Sequence, residues 1–437
     1  MKLKPYPKYK DPGIQWIGVI PEGWEVNKFK HSFNSNMGQT IITLDLNANG
    51  KYPVLSATEK DNYFGRIDNP QFVLSEGDFV IPARGNSIGF VTLVKEECVS
   101  TQTTIYAKKI KKEINSKFVY YFLKYHKDNL FPFTATAIPQ ITVAEVKENP
   151  LIIPPPPEQT AIASFLDKKT AKIDGLIEKD KKLIELLKEK RTALINHAVT
   201  KGLPAPLARQ TGLDPNVKLK DSGVEWIAKI PEGWKVRELK HCCNIKAQYG
   251  AGCKPESNPR KLDYRYVRIT DINSLGRLRE DSFVYLSKEN SSGYILKKGD
   301  ILFARSGATV GKSYYYLSED GKCAYAGYLI RYLTNEKIMN SKYLFYYSLS
   351  SSYKDWIKLI LIQSTIENVS AEKYDNLLIT TPPTLEQLQI VQYLDKATAK
   401  IDKTIKFIEK NIALLQEYKK SLIHHVVTGK VDVREEC

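Results

Sequence analysis

Arginine set among small polar residues occurs at two matching places in this chain, and that pattern suits contact with DNA. The first reads Glu76-Gly77-Asp78-Phe79-Val80-Ile81-Pro82-Ala83-Arg84-Gly85-Asn86-Ser87-Ile88-Gly89. The second reads Lys298-Gly299-Asp300-Ile301-Leu302-Phe303-Ala304-Arg305-Ser306-Gly307-Ala308-Thr309-Val310-Gly311-Lys312. In each, a Gly-Asp turn launches an apolar strand that empties into a polar loop. Arginine pairs with O6 and N7 of guanine or clamps a phosphate, and small neighbours let the backbone approach. Candidate contacts are therefore Arg84, Asn86, Ser87, Arg305, Ser306, Thr309 and Lys312. The competing reading is a hairpin whose arginine serves a structural ion pair.

Three further polar clusters carry side chains able to address base edges. They supply Thr101 and Gln102, then Thr136 and Gln140, and in the second half Gln363, Ser364 and Thr365. Turns and caps use the same residue types. Arg265 and Arg268, with Arg277, Arg279 and the Tyr264/Tyr266 pair, make a basic strip with aromatic interleaving that suits a phosphate backbone; an exposed amphipathic strand would look alike. Ser306 to Ser313 has the spacing of a phosphate-binding loop but Ser where the first Gly belongs. The following Tyr314-Tyr315-Tyr316 favours a strand over the helix such a loop needs.

Catalytic chemistry finds no home in this pattern. The six histidines show no triad or metal spacing, and no Asn-Pro-Pro-Tyr of the methyltransferase kind occurs. The six cysteines lack paired spacing and read as ordinary reduced thiols. Their one cluster, a weak signal, is Cys242-Cys243 beside His241, with Cys253 further on.

The elements that position these loops come in two copies. Lys10 to Val26, with Trp16, Pro21, Glu22, Gly23 and Trp24, returns 210 residues later as Lys220 to Val236, with Trp226, Pro231, Glu232, Gly233 and Trp234. A second pair, Pro154-Pro155-Pro156-Pro157-Glu158-Gln159 through Asp174, returns 228 residues on as Pro382-Pro383-Thr384-Leu385-Glu386-Gln387 through Asp402. The frames match while the stretches inside them differ. The four repeated tryptophans read as packing anchors. After each proline cluster, Ile and Leu recur at helical spacing, as in Ile162, Leu166, Ile173 and Ile177. Each run ends at a glycine, Gly202 or Gly429, giving helices of about 43 residues. The simplest partner for one such stripe is the other. Gly175 costs about 1 kcal/mol relative to Ala and is a candidate bend. The stretches between read as mixed α/β, with helical patches at 117–127 and 341–360.

At 437 residues, the chain can bury more than one core. The expected parts are a first domain 1–157, a long helix 158–200, a linker 201–218, a second domain 219–381, a long helix 382–428 and a tail 429–437. Lys+Arg 65 against Asp+Glu 49 leaves a formal +16, which favours a polyanionic partner. The two helical stretches hold only +4 of it, so most of the excess lies in the domains and flanks. No apolar run reaches the roughly 18 residues of a membrane span and the first residues show no signal core, so a cytoplasmic protein is expected.

This combination resembles the specificity subunit of type I restriction-modification enzymes over essentially the whole chain. The residues that carry the likeness are the two Lys-Asp-x-Gly-x-x-Trp-Ile-x-x-Ile-Pro-Glu-Gly-Trp segments, the proline-Glu-Gln helix starts with their Leu-Asp and Lys-Ile-Asp, and the helix ends at Val199-Thr200 and Val427-Thr428. The resemblance implies two mixed α/β target-recognition domains, each reading half of a split, asymmetric site on double-stranded DNA. It also implies two long helices packed antiparallel as a coiled coil to set the gap. Two adenine-methyltransferase subunits and, in the nuclease form, two motor-nuclease subunits are the implied partners, using S-adenosylmethionine, ATP and magnesium. The chain itself would hold no cofactor and catalyse nothing. A self-sufficient endonuclease and a coiled-coil scaffold without DNA specificity are the alternatives.

Overall fold

The computed structural model describes residues 4–58, 62–132, 139–214, 216–256, 263–362 and 368–436. Two compact units emerge, Met1–Asp180 with Glu409–Cys437, and Lys181–Ile408. The cut falls inside both long helices rather than at their ends, unlike the linear division expected from sequence. The reason is packing: each unit takes one end of both helices into its core.

The first unit contains a four-stranded sheet of β1 (Phe33–Met37), β2 (Phe79–Pro82), β3 (Thr92–Leu93) and β4 (Thr104–Lys109), in the order β1-β4-β2-β3. The second repeats it with β5 (Gln248–Tyr249), β6 (Asp300–Ala304), β7 (Ser313–Tyr315) and β8 (Leu329–Leu333), in the order β5-β8-β6-β7. A three-stranded sheet accompanies each. Its middle strand, Tyr52–Leu55 or Tyr264–Val267, pairs antiparallel on one side and parallel on the other. The two Gly-Asp turns are built alike: Gly77 and Gly299 sit at φ +93° and +92°, a region that favours glycine. Asp78 then accepts the amides of Ser75 and Lys109 at 2.9 and 2.8 Å, while Asp300 accepts that of Lys297 at 2.7 Å and pairs with Arg331.

Four helices matter for the frame: α1 (Ser116–Tyr125), α2 (Pro156–Lys201), α3 (Ser341–Ser348) and α4 (Thr384–Val427). The long pair, α2 and α4, run 46 and 44 residues. Gly202 and Gly429 follow them at φ +86° and +70°, left-handed stops of the expected kind. Gly175 leaves α2 unbroken. In the first unit Ile162, Leu166, Ile173 and Ile177 of α2 and Leu422, Ile423, Val426 and Val427 of α4 join Phe29, Phe79 and Phe118 in one core. In the second, Ile195, Ala198 and Val199 of α2 and Ile390 and Leu394 of α4 join Phe303, Tyr343 and Trp356. Within each unit the two segments run antiparallel, tied by Asp174 to Lys419 at 2.6 Å in the first and Arg191 to Asp402 at 2.9 Å in the second. Asp402 repeats Asp174 and Lys419 repeats Arg191, both 228 residues on, so one ion pair is built twice with its ends exchanged.

The repeated polar residues are the joints between helix and domain. Trp24 Nε1 donates to Glu158 and Trp234 Nε1 to Glu386, both at 3.0 Å. Gln159 and Gln387 accept the amides of Asn115 and Asn340 at 2.8 and 2.7 Å, and those asparagines cap α1 and α3. Asp167 takes Lys117 and Tyr121 at 2.7 and 2.8 Å, and Asp395 takes Lys342 and Tyr346 at 2.8 and 2.6 Å. Among the described residues no helix is long and apolar enough to cross a membrane.

Candidate nucleic-acid interface

In both units the arginine-bearing loop leaves the end of an interior strand and is clamped on two sides. After β2, Ala83 donates its amide to Thr103 O at 2.9 Å and accepts that of Ile141 at 3.0 Å, while Arg84 bridges Gln140. After β6, Arg305 donates its amide to Tyr328 O at 3.0 Å and accepts that of Val369 at 2.8 Å, while Ser306 bridges Asn368. Strand, loop and returning segment therefore occupy equivalent positions although their side chains differ.

The arginines differ in constraint. Arg84, Asn86 and Gln140 are exposed. Arg305 is half-buried, its Nε donating to Asn368 Oδ1 at 3.3 Å and its guanidinium lying 4.7 Å over the Tyr249 ring. That stacking fixes the guanidinium plane while leaving its outer nitrogens for a ligand. Tyr249 and Tyr328 are exposed beside it at 42% and 62%. Sequence reading missed both tyrosines, while Asn368 closes the polar cluster that starts at Gln363. The signal lay in glycine: at Gly250, and at its counterpart Gly38, neighbouring carbonyls leave no room for a Cβ. This close approach draws the strand bearing Tyr249 against the segment that leads to Tyr328.

Several sequence candidates have other work in the fold. Ser87 is buried and donates to Ala57 O at 3.0 Å. Thr101 is buried between the hydroxyls of Ser56 and Thr103, at 3.2 and 2.8 Å. Gln102 is half-buried and its Oε1 accepts the Ile41 amide at 3.1 Å. Arg268 chelates the buried Asp271 through Nε and Nη2 at 3.1 and 2.9 Å. Arg265 donates to Arg279 O at 2.7 Å and lies 4.1 Å over the Phe283 ring. Arg265 and Arg268 thus brace their own loop, because a guanidinium beside a buried carboxylate is worth more there than in water. Lys312 donates to Ile272 O at 3.0 Å, and the Thr309 hydroxyl is buried without a partner among the described residues. Thr136, Gln363, Ser364 and Thr365 lie outside the described residues, in segments that lead directly into Gln140 and Asn368. Ser306 to Ser313 holds a short 3-10 turn, Gly307–Thr309, and leads into strand β7 rather than a helix.

The described cysteines, Cys98, Cys242, Cys243, Cys253 and Cys323, are free thiols. Burial pushes Cys98 up to about 12, Cys242 to about 11 and Cys243 to about 12, which makes them poor nucleophiles at neutral pH. Among the described residues no group of three or more His, Cys, Asp or Glu side chains is arranged to hold a metal ion.

The family described as type I restriction modification DNA specificity domain matches the chain twice, over residues 21–186 and 231–413. The chain belongs to that family. Each match holds one repeated frame and one arginine loop, so both halves of the molecule are specificity domains. The MjaVIII type I restriction enzyme specificity subunit of Methanocaldococcus jannaschii is 24% identical over 428 residues, which cover 95% of this chain and 94% of that one. The EcoDI specificity subunit of Escherichia coli is 21% identical over 427 residues, covering 95% and 90%. Among solved structures, a chain from work on complex assembly and conformational transition of the type I R-M system aligns with a TM-score of 0.62 at 15% identity, covering 93% of this chain and 98% of that one. That likeness concerns the fold.

Proposed function

We propose that this specificity protein reads a split, asymmetric site on double-stranded DNA, one half-site through each arginine loop. The observation that carries the proposal is the repeated clamp: the same strand end and returning segment, tied by the same backbone bonds, present Arg84, Asn86 and Gln140 in one unit and, with the arginine one residue earlier and Tyr249 of a neighbouring strand beside it, Arg305 and Asn368 in the other. A fixed backbone with changed side chains reads different bases from one geometry.

The chain carries out no chemistry in this reading. It recruits two adenine-methyltransferase subunits and, in the restricting form, two motor-nuclease subunits in the cytoplasm. Those partners hold S-adenosylmethionine, ATP and magnesium, and no residue here is assigned to them. Leu186 and Leu414, repeats of one another on α2 and α4, are both 52% exposed, and Leu183, Phe407 and Tyr418 are exposed as well. Apolar side chains on the open faces of long helices suit helical partner subunits.

The test is to co-express the chain with its methyltransferase and map adenine methylation. A discontinuous sequence motif is expected, and replacing residues 30–150 with the corresponding part of a relative should change one half of it. Cleavage or methylation by the isolated chain, or a swap that alters both halves, would overturn the proposal.

A further inference from the structure

In the first unit one oxygen of the Glu158 carboxylate, Oε1, receives two donors. One is the Trp24 indole at 3.0 Å and the other is the hydroxyl of Tyr6. Tyr6 is only 6% exposed, stands edge-on to Trp24 with ring centroids 5.8 Å apart, and carries the Arg434 guanidinium 5.2 Å over its ring. The second unit repeats the tryptophan and the glutamate but not the tyrosine, since Asn216 stands 210 residues after Tyr6. Trp234 donates to Glu386 Oε2 at 3.0 Å, and Oε1 accepts no hydrogen bond among the described residues. A cavity of about 540 Å³ opens there, lined by Trp234, Glu386, Lys201, His197, Val217 and Leu219. At its edge, a Cβ on Gly202 would lie 3.2 Å from Glu386 Oε1, so the floor is shaped around that oxygen.

We propose that this cavity is a docking site for a tyrosine-bearing segment of a protein partner, whose phenol donates to the Glu386 carboxylate and whose ring stands edge-on to Trp234. The occupant's chemistry is read from the other unit, where a segment of this same chain does both things. Glu386 supports the assignment: burial pushes its carboxyl above the usual range, with only the Trp234 bond opposing. A half-buried carboxylate with an acceptor position facing the cavity gains from a further donor. The inference does not depend on the DNA reading, because the site lies at the helix-domain joint and its test uses no nucleic acid.

The probe is a labelled peptide of residues 4–9, Lys-Pro-Tyr-Pro-Lys-Tyr, titrated into the full chain and followed by fluorescence anisotropy. Saturable binding is expected, weakened about tenfold when phenylalanine replaces the first tyrosine of the peptide or in the Glu386→Gln chain, since each change weakens a hydrogen bond to a charged group. Asn216→Tyr should abolish binding by filling the cavity from within, and should raise the melting temperature. That variant also separates this site from exchange at the seat of Tyr6, and it decides the matter if Glu386→Gln fails to fold. Absence of saturable binding, equal affinity for the phenylalanine peptide, or undiminished binding to Asn216→Tyr would overturn the proposal.

Discussion

Where α4 meets α1 in the first unit, His126 and His424 touch through their ring nitrogens at 2.9 Å, with Trp16 packed 5.1 Å from the His126 ring. At the matching joint of the second unit, Asn196, which His424 repeats 228 residues later, accepts from the amide and hydroxyl of Ser352 at 3.4 and 3.3 Å. Ser352 lies in the helix Ser351–Ile362 that follows α3. The same joint is thus built once from groups that titrate and once from groups that do not. Duplication preserved the architecture of the contact and left its chemistry free to diverge.

The largest expected consequence is an acid sensitivity greater in the first unit, although burial lowers His197 in the second as well. Burial holds His126 at about 4, below its ordinary 6.5, and also lowers His424. Between those two pH values the unfolded chain binds protons that the folded unit refuses. Stability is therefore fully present above pH 6.5 and is lost as pH falls toward 4, by about 3 kcal/mol for His126. Hydrogen exchange at pH 7.5 and pH 5 should show α1 losing protection while α3 keeps it. A chain carrying His126→Ser and His424→Asn should lose the difference. Equal acid loss in both units would break the comparison.

A second contrast concerns the two arginines. Arg305 is braced by Tyr249 and Asn368 while Arg84 stands exposed, so in the proposed reading Arg305 would give up less freedom on meeting DNA. With the methyltransferase present, Arg305→Ala should cost about 1–3 kcal/mol and relax one position of the motif if it reads guanine. If it touches phosphate, binding should weaken on all sequences with a shallower salt slope. Arg84→Ala should cost less, and the reverse order in a gel-shift titration would show that bracing is not what separates them.

The smallest effect sharpens the comparison at the ion pairs. Arg191 and Asp402 have side chains 11% and 31% exposed, against 20% and 56% for Lys419 and Asp174. Arg191→Ala should therefore destabilise more than Lys419→Ala, whose exposed partner limits its pair to about 1 kcal/mol or less. Thermal unfolding of the two variants measures it, and equal losses would mean that burial does not distinguish the pairs.

By sequence alone, the chain disclosed its two frames, its long helices and their glycine stops, and the strands launched by each Gly-Asp turn. These follow from spacing within short stretches, where helical period, left-handed glycine and strand alternation act locally. It also marked Arg84 and Arg305 as equivalent, but the backbone bonds match Ala83 with Arg305 and Arg84 with Ser306, so the arginines stand one residue out of register. Tertiary structure decided what the repeated polar residues do: Glu158, Gln159 and Asp167 look like helix-start chemistry, yet each reaches a partner at least 44 residues away. It decided too that Arg268 and Thr101 face inward while Tyr249 and Tyr328 face out. The common sheet order of the two domains was hidden for the same reason. Strand pairing is a long-range choice made by backbone hydrogen bonds that nearly any apolar side chain tolerates, so the sequences drifted apart while the pairing stayed.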